Sequence, residues 1–185
     1  MTTFYYAGIG SRETPPDVLK QMRHVAARLR VLGLFCNTGD ASGADKAFRE
    51  GAIDCCQAFV PHSKRGVIKA PFIKITDEKL VRWSLASVKK YHPYADRFRR
   101  QYSIDLHARN AFQVMGVDLK TPVSFVLCWT PDGAETTTDP DHTGGTGQAI
   151  RIANANAIPV FNLFHKDALE RLKTHLEGLG ILTSA

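Results

Sequence analysis

The 185-residue sequence predicts an α/β fold: a Rossmann-like, open and mostly parallel sheet with helices on both faces, formed as a single domain over residues 1–185. Three observations predict it. Short aromatic and β-branched runs alternate along the chain with longer segments whose apolar residues recur at helical spacing, the pattern of βα units. Several runs end in small residues that lead straight into a helical segment. No internal repeat, and no linker that would split the chain, interrupts the alternation, and this length suits one domain with a substantial core.

The elements follow in order. Phe4 to Ile9 reads as a first strand that runs into the turn Gly8-Ile9-Gly10-Ser11-Arg12. Thr14-Pro15-Pro16-Asp17 opens a helix, where the missing proline N–H costs nothing. Val18, Met22, Val25, Ala26 and Leu29 mark its apolar face, and it ends near Gly33. Leu34 to Asn37 is a second strand, followed by the loop Thr38 to Gly43 and a helix from Ala44 to Ala52. Gln57–Val60 and Phe72–Ile75 are further strands separated by a basic loop, and Asp77–Tyr102 reads as a charged, aromatic-rich helical region. Another helix is expected over His107–Gly116. Val123 to Trp129 is the most hydrophobic run and so a central strand buried on two sides. A polar loop from Thr130 to Thr143 leads into Gly144-Gly145-Thr146-Gly147 and a helix over Gln148–Ala155. A last strand, Ile158–Asn162, and a closing helix, Asp167–Leu179, complete the pattern.

Composition narrows the function classes. No apolar run approaches the roughly 18 residues that span a bilayer, so no membrane partner is expected. The N-terminus lacks a basic region followed by an apolar stretch, so it does not read as a signal peptide. Cys36, Cys55, Cys56 and Cys128 form no C-x-x-C pair and have no histidine at metal-ligand spacing, which fits reduced thiols in a cytoplasmic protein. The net charge is +6 but unevenly placed, because residues 62–109 hold twelve of the 24 lysines and arginines against four acids. That block points to an anionic partner: a nucleotide, a nucleic acid or another protein.

Three strand-to-helix loops carry the candidate chemistry, because ligands in open parallel sheets sit beyond the carboxyl ends of the strands. Glycines admit an anion close to the backbone, and a helix N-terminus supplies free N–H groups. The first loop, with Gly8, Gly10, Ser11 and Arg12, is part of a dinucleotide fingerprint, with Glu13 where the third glycine would stand. It also fits an ordinary tight turn. The second, Thr38 to Asp45, sets Gly39, Asp40, Ser42, Gly43 and Asp45 at a strand-to-helix junction, where helix capping by Ser42 and Asp45 is the ligand-free alternative. The third holds Gly144, Gly145, Thr146 and Gly147 at a helix start.

Together these segments resemble one superfamily. Ala7-Gly8-Ile9-Gly10-Ser11-Arg12, then Thr38 to Phe48 with Gly51-Ala52, resembles the core of the DprA/Smf proteins, which carry a similar G-S-R turn and an S-G-x-A-x-G-x-D stretch before a helix. Leu106-His107-Ala108-Arg109-Asn110 with Gly144-Gly145-Thr146-Gly147 resembles the "lonely guy" phosphoribohydrolases, which have an R-K or R-N pair before a strand and a P-G-G-x-G-T-x-x-E loop after it. Both groups belong to the SLOG superfamily of Rossmann-like nucleotide binders, and the resemblance runs from about Phe4 to Asn162. It implies a nucleotide or nucleotide-derived ligand in a pocket formed by all three loops. The glycines, Ser11, Arg12, Ser42 and Thr146 would line the phosphate side; Asp40, Asp45, Arg109 and Asn110 would line the sugar side.

The departures from the hydrolase pattern are specific. Arg151 takes the place of the loop glutamate, Thr143 that of the proline, and Gln148 that of the following threonine. An arginine cannot support positive charge developing on a sugar. If an N-glycosidic bond is hydrolysed, Asp45 and Arg109 are the candidate catalytic residues, with Asp40 or Glu13 as substitutes. A sensor or sequestering protein is therefore weighed ahead of a nucleotide-processing enzyme, and a DprA-like single-stranded DNA binder stands as a third reading, carried by the basic block. No cofactor or metal is required, although Mg²⁺ bound with phosphates is compatible with the acids. His107 and His142 are given no catalytic role. The threonine-rich stretch Glu135 to Asp141 is expected to be mobile and to close over ligand, and a homo-oligomer is expected from the resemblance.

Overall fold

In the computed structural model of the protein, residues 3–136 and 140–182 are described. Residues 137–139, within the threonine-rich stretch expected to close over ligand, lie outside them. The elements are β1 (Tyr5–Gly8), α1 (Pro16–Val31), β2 (Phe35–Gly39), α2 (Ala44–Ala52), β3 (Cys56–Val60), β4 (Phe72–Lys74), α3 (Glu78–Tyr91), α4 (Gln101–Met115), β5 (Phe125–Cys128), α5 (Pro140–Ala155), β6 (Val160–Asn162) and α6 (Ala168–Gly178). All strand pairs are parallel and the order across the sheet is β4-β3-β2-β1-β5-β6. The predicted Rossmann-like fold is thus observed.

Period-two alternation on the central strands explains why both faces are covered. Tyr6, Phe125 and Leu127 point to one face, where they meet Met22, Ala26 and Leu29 of α1, Phe48 of α2, and Leu172 and Leu176 of α6. Ala7, Val126 and Cys128 point to the other, against Ala111 and Val114 of α4 and Ala149, Ile150 and Ile152 of α5. Tyr6 and Phe125 stack across neighbouring strands with ring centroids 5.4 Å apart. Gly8 belongs to this packing: a Cβ there would stand 2.5 Å from Cγ of Phe48.

The two largest departures from the sequence reading each have a backbone reason. The expected helical region Asp77–Tyr102 is broken, because Pro93 disfavours helical geometry in the residue before it. His92 is accordingly extended (φ −104°, ψ 111°), a 3-10 turn follows at Ala95–Arg97, and α4 begins at Gln101, six residues before the expected start at His107. The loop expected through Thr143 is helical from Pro140, with its path broken at Gly144 (φ 50°, ψ −136°). Among the described residues no helix is long and apolar enough to cross a membrane.

Candidate functional site

The strand order reverses at β1 and β5: α1 leaves β1 toward one face and α5 lies on the other. Connections that diverge in this way leave a crevice at the carboxyl ends of the two strands. A cleft of about 400 Å³ opens there. Its walls come from the β1 loop (Gly10, Ser11, Arg12, Glu13), α4 (Leu106, His107, Arg109, Asn110, Gln113), the residues after β5 (Thr130, Pro131) and the start of the second half of α5 (Gly144, Gly145, Thr146). Ala41 and Asp45 contribute from the β2–α2 loop.

The β1 loop holds itself in shape. Ser11 Oγ accepts from Glu13 N at 3.0 Å, and the Ser11 carbonyl accepts from Thr14 Oγ1 at 2.7 Å. Gly10 lies so near α2 that a Cβ would stand 2.7 Å from Cβ of Ala44. Arg12 is exposed, and its guanidinium forms no hydrogen bond or ion pair with the described residues.

Behind the cleft lies a buried charge network. Arg109 is 7% exposed. Its Nη1 donates to the Phe59 carbonyl at 3.2 Å and lies 3.2 Å from Asp40 Oδ1, while Nη2 donates to Asp45 Oδ2 at 3.1 Å. Asp45 Oδ2 also accepts from Ala41 N at 3.2 Å, and Lys64 Nζ closes the network on Asp40 Oδ2 at 2.7 Å. Two cations balance two carboxylates, so burial does not leave a naked charge. Arg49 Nη1 donates to the Gly39 carbonyl and reaches the Ala41 carbonyl at 3.4 Å, which fixes the loop. Gly39 is required by this arrangement, since a Cβ there would occupy the space of the Arg109 guanidinium and of Asp45 Oδ2.

Asn110 connects α4 to the third loop, its Nδ2 donating to the Gly145 carbonyl and to Gln148 Oε1, each at 3.1 Å. His107 lies beside it, with Nδ1 2.7 Å from the Ser103 carbonyl. Its ring packs on Phe98 (4.6 Å) and edge-on to His92 (4.8 Å). Burial lowers the His107 pKa below the ordinary imidazole value and the Arg109 and Arg12 guanidiniums lower it further, while the Ser103 hydrogen bond opposes them. His92 is lowered to about 4 by burial, by His107 and by Arg151.

The three loops predicted from the sequence therefore differ in where they fall. Gly10, Ser11, Arg12, Asp45, Arg109, Asn110, Gly144, Gly145 and Thr146 are on the cleft wall. Gly8 is in the core, Gly39 and Asp40 surround Arg109, Ser42 is exposed away from the cleft, and Gly147 is buried on α5. Gly43, at φ 73°, opens α2 with no side-chain cap and packs against the Arg12 backbone. Helix capping by Ser42 is not observed. Sequence reasoning missed His107, Thr130 and Pro131, although the position of the last two just after a strand end was a usable signal. It also missed Arg49 and Lys64, whose partners are set by tertiary folding alone. Among the described residues no group of three or more His, Cys, Asp and Glu side chains is arranged to hold a metal ion.

No family model matches this chain, and no curated protein matches it. Among solved structures it is similar to DNA processing protein A from Helicobacter pylori, a structure described for its single-stranded DNA binding mode, at 16% sequence identity and a TM-score of 0.53. The similarity covers 98% of this chain and 75% of that one. At this identity it is the fold that is shared, and the chain has the Rossmann-like α/β architecture of DNA processing protein A.

Proposed function

We propose that the protein binds a nucleotide or nucleotide-derived ligand in the cleft between the β1 and β5 loops. The supporting observation is the meeting, at the point where the strand order reverses, of a guanidinium with no partner among the described residues (Arg12), the glycine-broken start of the second half of α5, and a polar α4 wall. A phosphate there is attracted by Arg12 and by the partial positive charge of a helix start at the Gly144 break. The cleft volume falls in the range of small-molecule sites.

Binding without turnover is the form of this reading best supported. Asp45 spends one oxygen on both Arg109 and Ala41 N, so it is held as a counter-ion rather than poised as a base. Arg151, in the place of the hydrolase glutamate, is not among the residues of the cleft wall. Mg²⁺, on this reading, arrives with the ligand's phosphates. The test is a thermal-shift screen against nucleoside mono-, di- and triphosphates, ADP-ribose, NAD and cyclic nucleotides, with and without Mg²⁺, each ligand then recovered and weighed by mass spectrometry. A stabilising ligand returned intact supports a binder. One returned as base and sugar phosphate establishes hydrolysis, and no shift with any of them sinks the small-molecule reading.

A second reading is favoured by a separate observation, the structural similarity to a protein described as binding single-stranded DNA. Here the basic block of residues 62–109 would follow the phosphates, with the exposed Trp83 and Tyr102 as stacking surfaces. Oligonucleotide affinity that falls steeply with salt would support it.

A further inference from the structure

The hydrogen-bonding polarity of His107, a cleft side chain, is dictated by its surroundings. Its Nδ1 is 2.7 Å from the Ser103 carbonyl, and a carbonyl can only accept, so Nδ1 carries the hydrogen. The groups acting on the ring are His92 just after α3, Phe98, Arg12 of the β1 loop, and Arg109 on its own helix. Arg151 acts on the neighbouring His92. Arg109 is balanced by Asp40 and Asp45, whereas Arg12 has no ion pair among the described residues. A second proton, and the positive charge it brings, is disfavoured on this ring by burial and by both guanidiniums. The ring is therefore neutral near pH 7, with its lone pair on Nε2. That nitrogen faces the cleft wall at Gly145, where a Cβ would stand 3.4 Å from it.

We propose that His107 Nε2 accepts a hydrogen bond from a donor group of the nucleoside, a sugar hydroxyl or a base amino group, and so orients the ligand with its phosphate off Nε2. This rests on the nucleotide reading above. An ionised phosphate offers Nε2 only acceptors, and two acceptors facing each other repel. A hydroxyl or an amino group meets Nε2 with a hydrogen. The phosphate then falls to Arg12 and Ser11 of the β1 loop.

The sign of the pH dependence separates these two orientations. With a donor at His107, protonating the ring removes the acceptor and weakens binding in acid. With a phosphate there, protonation creates an ion pair and strengthens it. The experiment is isothermal titration of the wild type, His107→Phe and His107→Gln with AMP and with ADP-ribose between pH 5 and 8. ADP-ribose is included because its diphosphate bridge does not titrate near neutrality. The ratio of wild-type to His107→Phe affinity cancels the titration of AMP itself. We expect that ratio to be about tenfold at pH 8, one hydrogen bond's worth, and to fall toward unity in acid. His107→Gln, whose amide oxygen can accept, should keep most of the wild-type affinity. Titration with 2′-deoxy-AMP, 3′-deoxy-AMP and the analogue lacking the adenine amino group identifies the donor, because one of them should lose the same factor with the wild type and nothing with His107→Phe. A ratio that rises in acid, or equal affinities of wild type and His107→Phe at pH 8, overturns the role of His107 while the nucleotide reading stands. Absence of binding by AMP, ADP-ribose and every other nucleotide of the thermal-shift panel to the wild type overturns both.

Discussion

Replacing Gly39 by alanine tests whether the buried charge network is built around a missing side chain. The added Cβ would fall on Arg109 Nη1 and Asp45 Oδ2, in a strand end with no room behind it. Arg109 would have to leave its place, giving up the Phe59 carbonyl, Asp40 and Asp45 together. Breaking a buried pair in this way strands the carboxylates and costs about 3–5 kcal/mol. For a domain of this size that is a drop in melting temperature of roughly 6–20 °C, at about 2–4 °C per kcal/mol. Arg109→Ala should cost a similar amount for the same reason. The double variant is the decisive arm: once Arg109 is gone, Asp45 is free to turn and the Cβ has space, so Gly39→Ala should add less than about 1 kcal/mol. Urea or thermal unfolding of the four proteins supplies the cycle. Additive effects would refute the reasoning, since they would mean that Gly39 and Arg109 do not compete for one volume.

Three further predictions concern other parts of the cleft and its surroundings. Arg12→Ala should lower nucleotide affinity about ten- to a hundredfold, as loss of a charge-assisted contact does, and leave the melting temperature within a degree or two, because its guanidinium has no partner among the described residues; calorimetry and thermal shift on the same samples check both halves. Gly8→Ala should behave in the opposite way, destabilising by about 1–3 kcal/mol through overpacking on Phe48 with ligand affinity per folded molecule unchanged. Stability should also fall as pH is lowered from about 6.5 toward 4. His92 binds its proton in the unfolded chain before it does in the folded one, so the unfolded state holds more protons in this window and stability rises with pH. His92→Phe should flatten that slope in unfolding curves taken at pH 5 and 7, and an unchanged slope would remove His92 as its source.

Much of the fold was legible because it is written in local patterns. The two-residue alternation of Tyr6, Ala7, Phe125 and Val126 and the helical spacing of Met22, Val25, Ala26 and Leu29 are determined by which side of an element each residue occupies. Those patterns called for a parallel sheet covered on both faces, and the glycine loops marked the strand ends where a ligand site belongs. The break between α3 and α4 was also present locally, in Pro93. What residue type alone could not decide was the division of labour within the loops. Gly8, Gly10 and Gly39 look alike in the sequence, yet one makes room for Phe48, one lets the β1 loop approach α2, and one makes room for a guanidinium arriving from α4, 70 residues away. Likewise Arg12 and Arg109 are the same residue type, and tertiary packing gives Arg109 two carboxylates and a carbonyl while Arg12 lines the cleft with no partner among the described residues. Periodicity and turn chemistry act between neighbours, so the architecture and the region of the candidate cleft could be read locally. Which carboxylates hold Arg109 and which nitrogen of His107 lies against Gly145 were decided by contacts that form only when distant segments pack together.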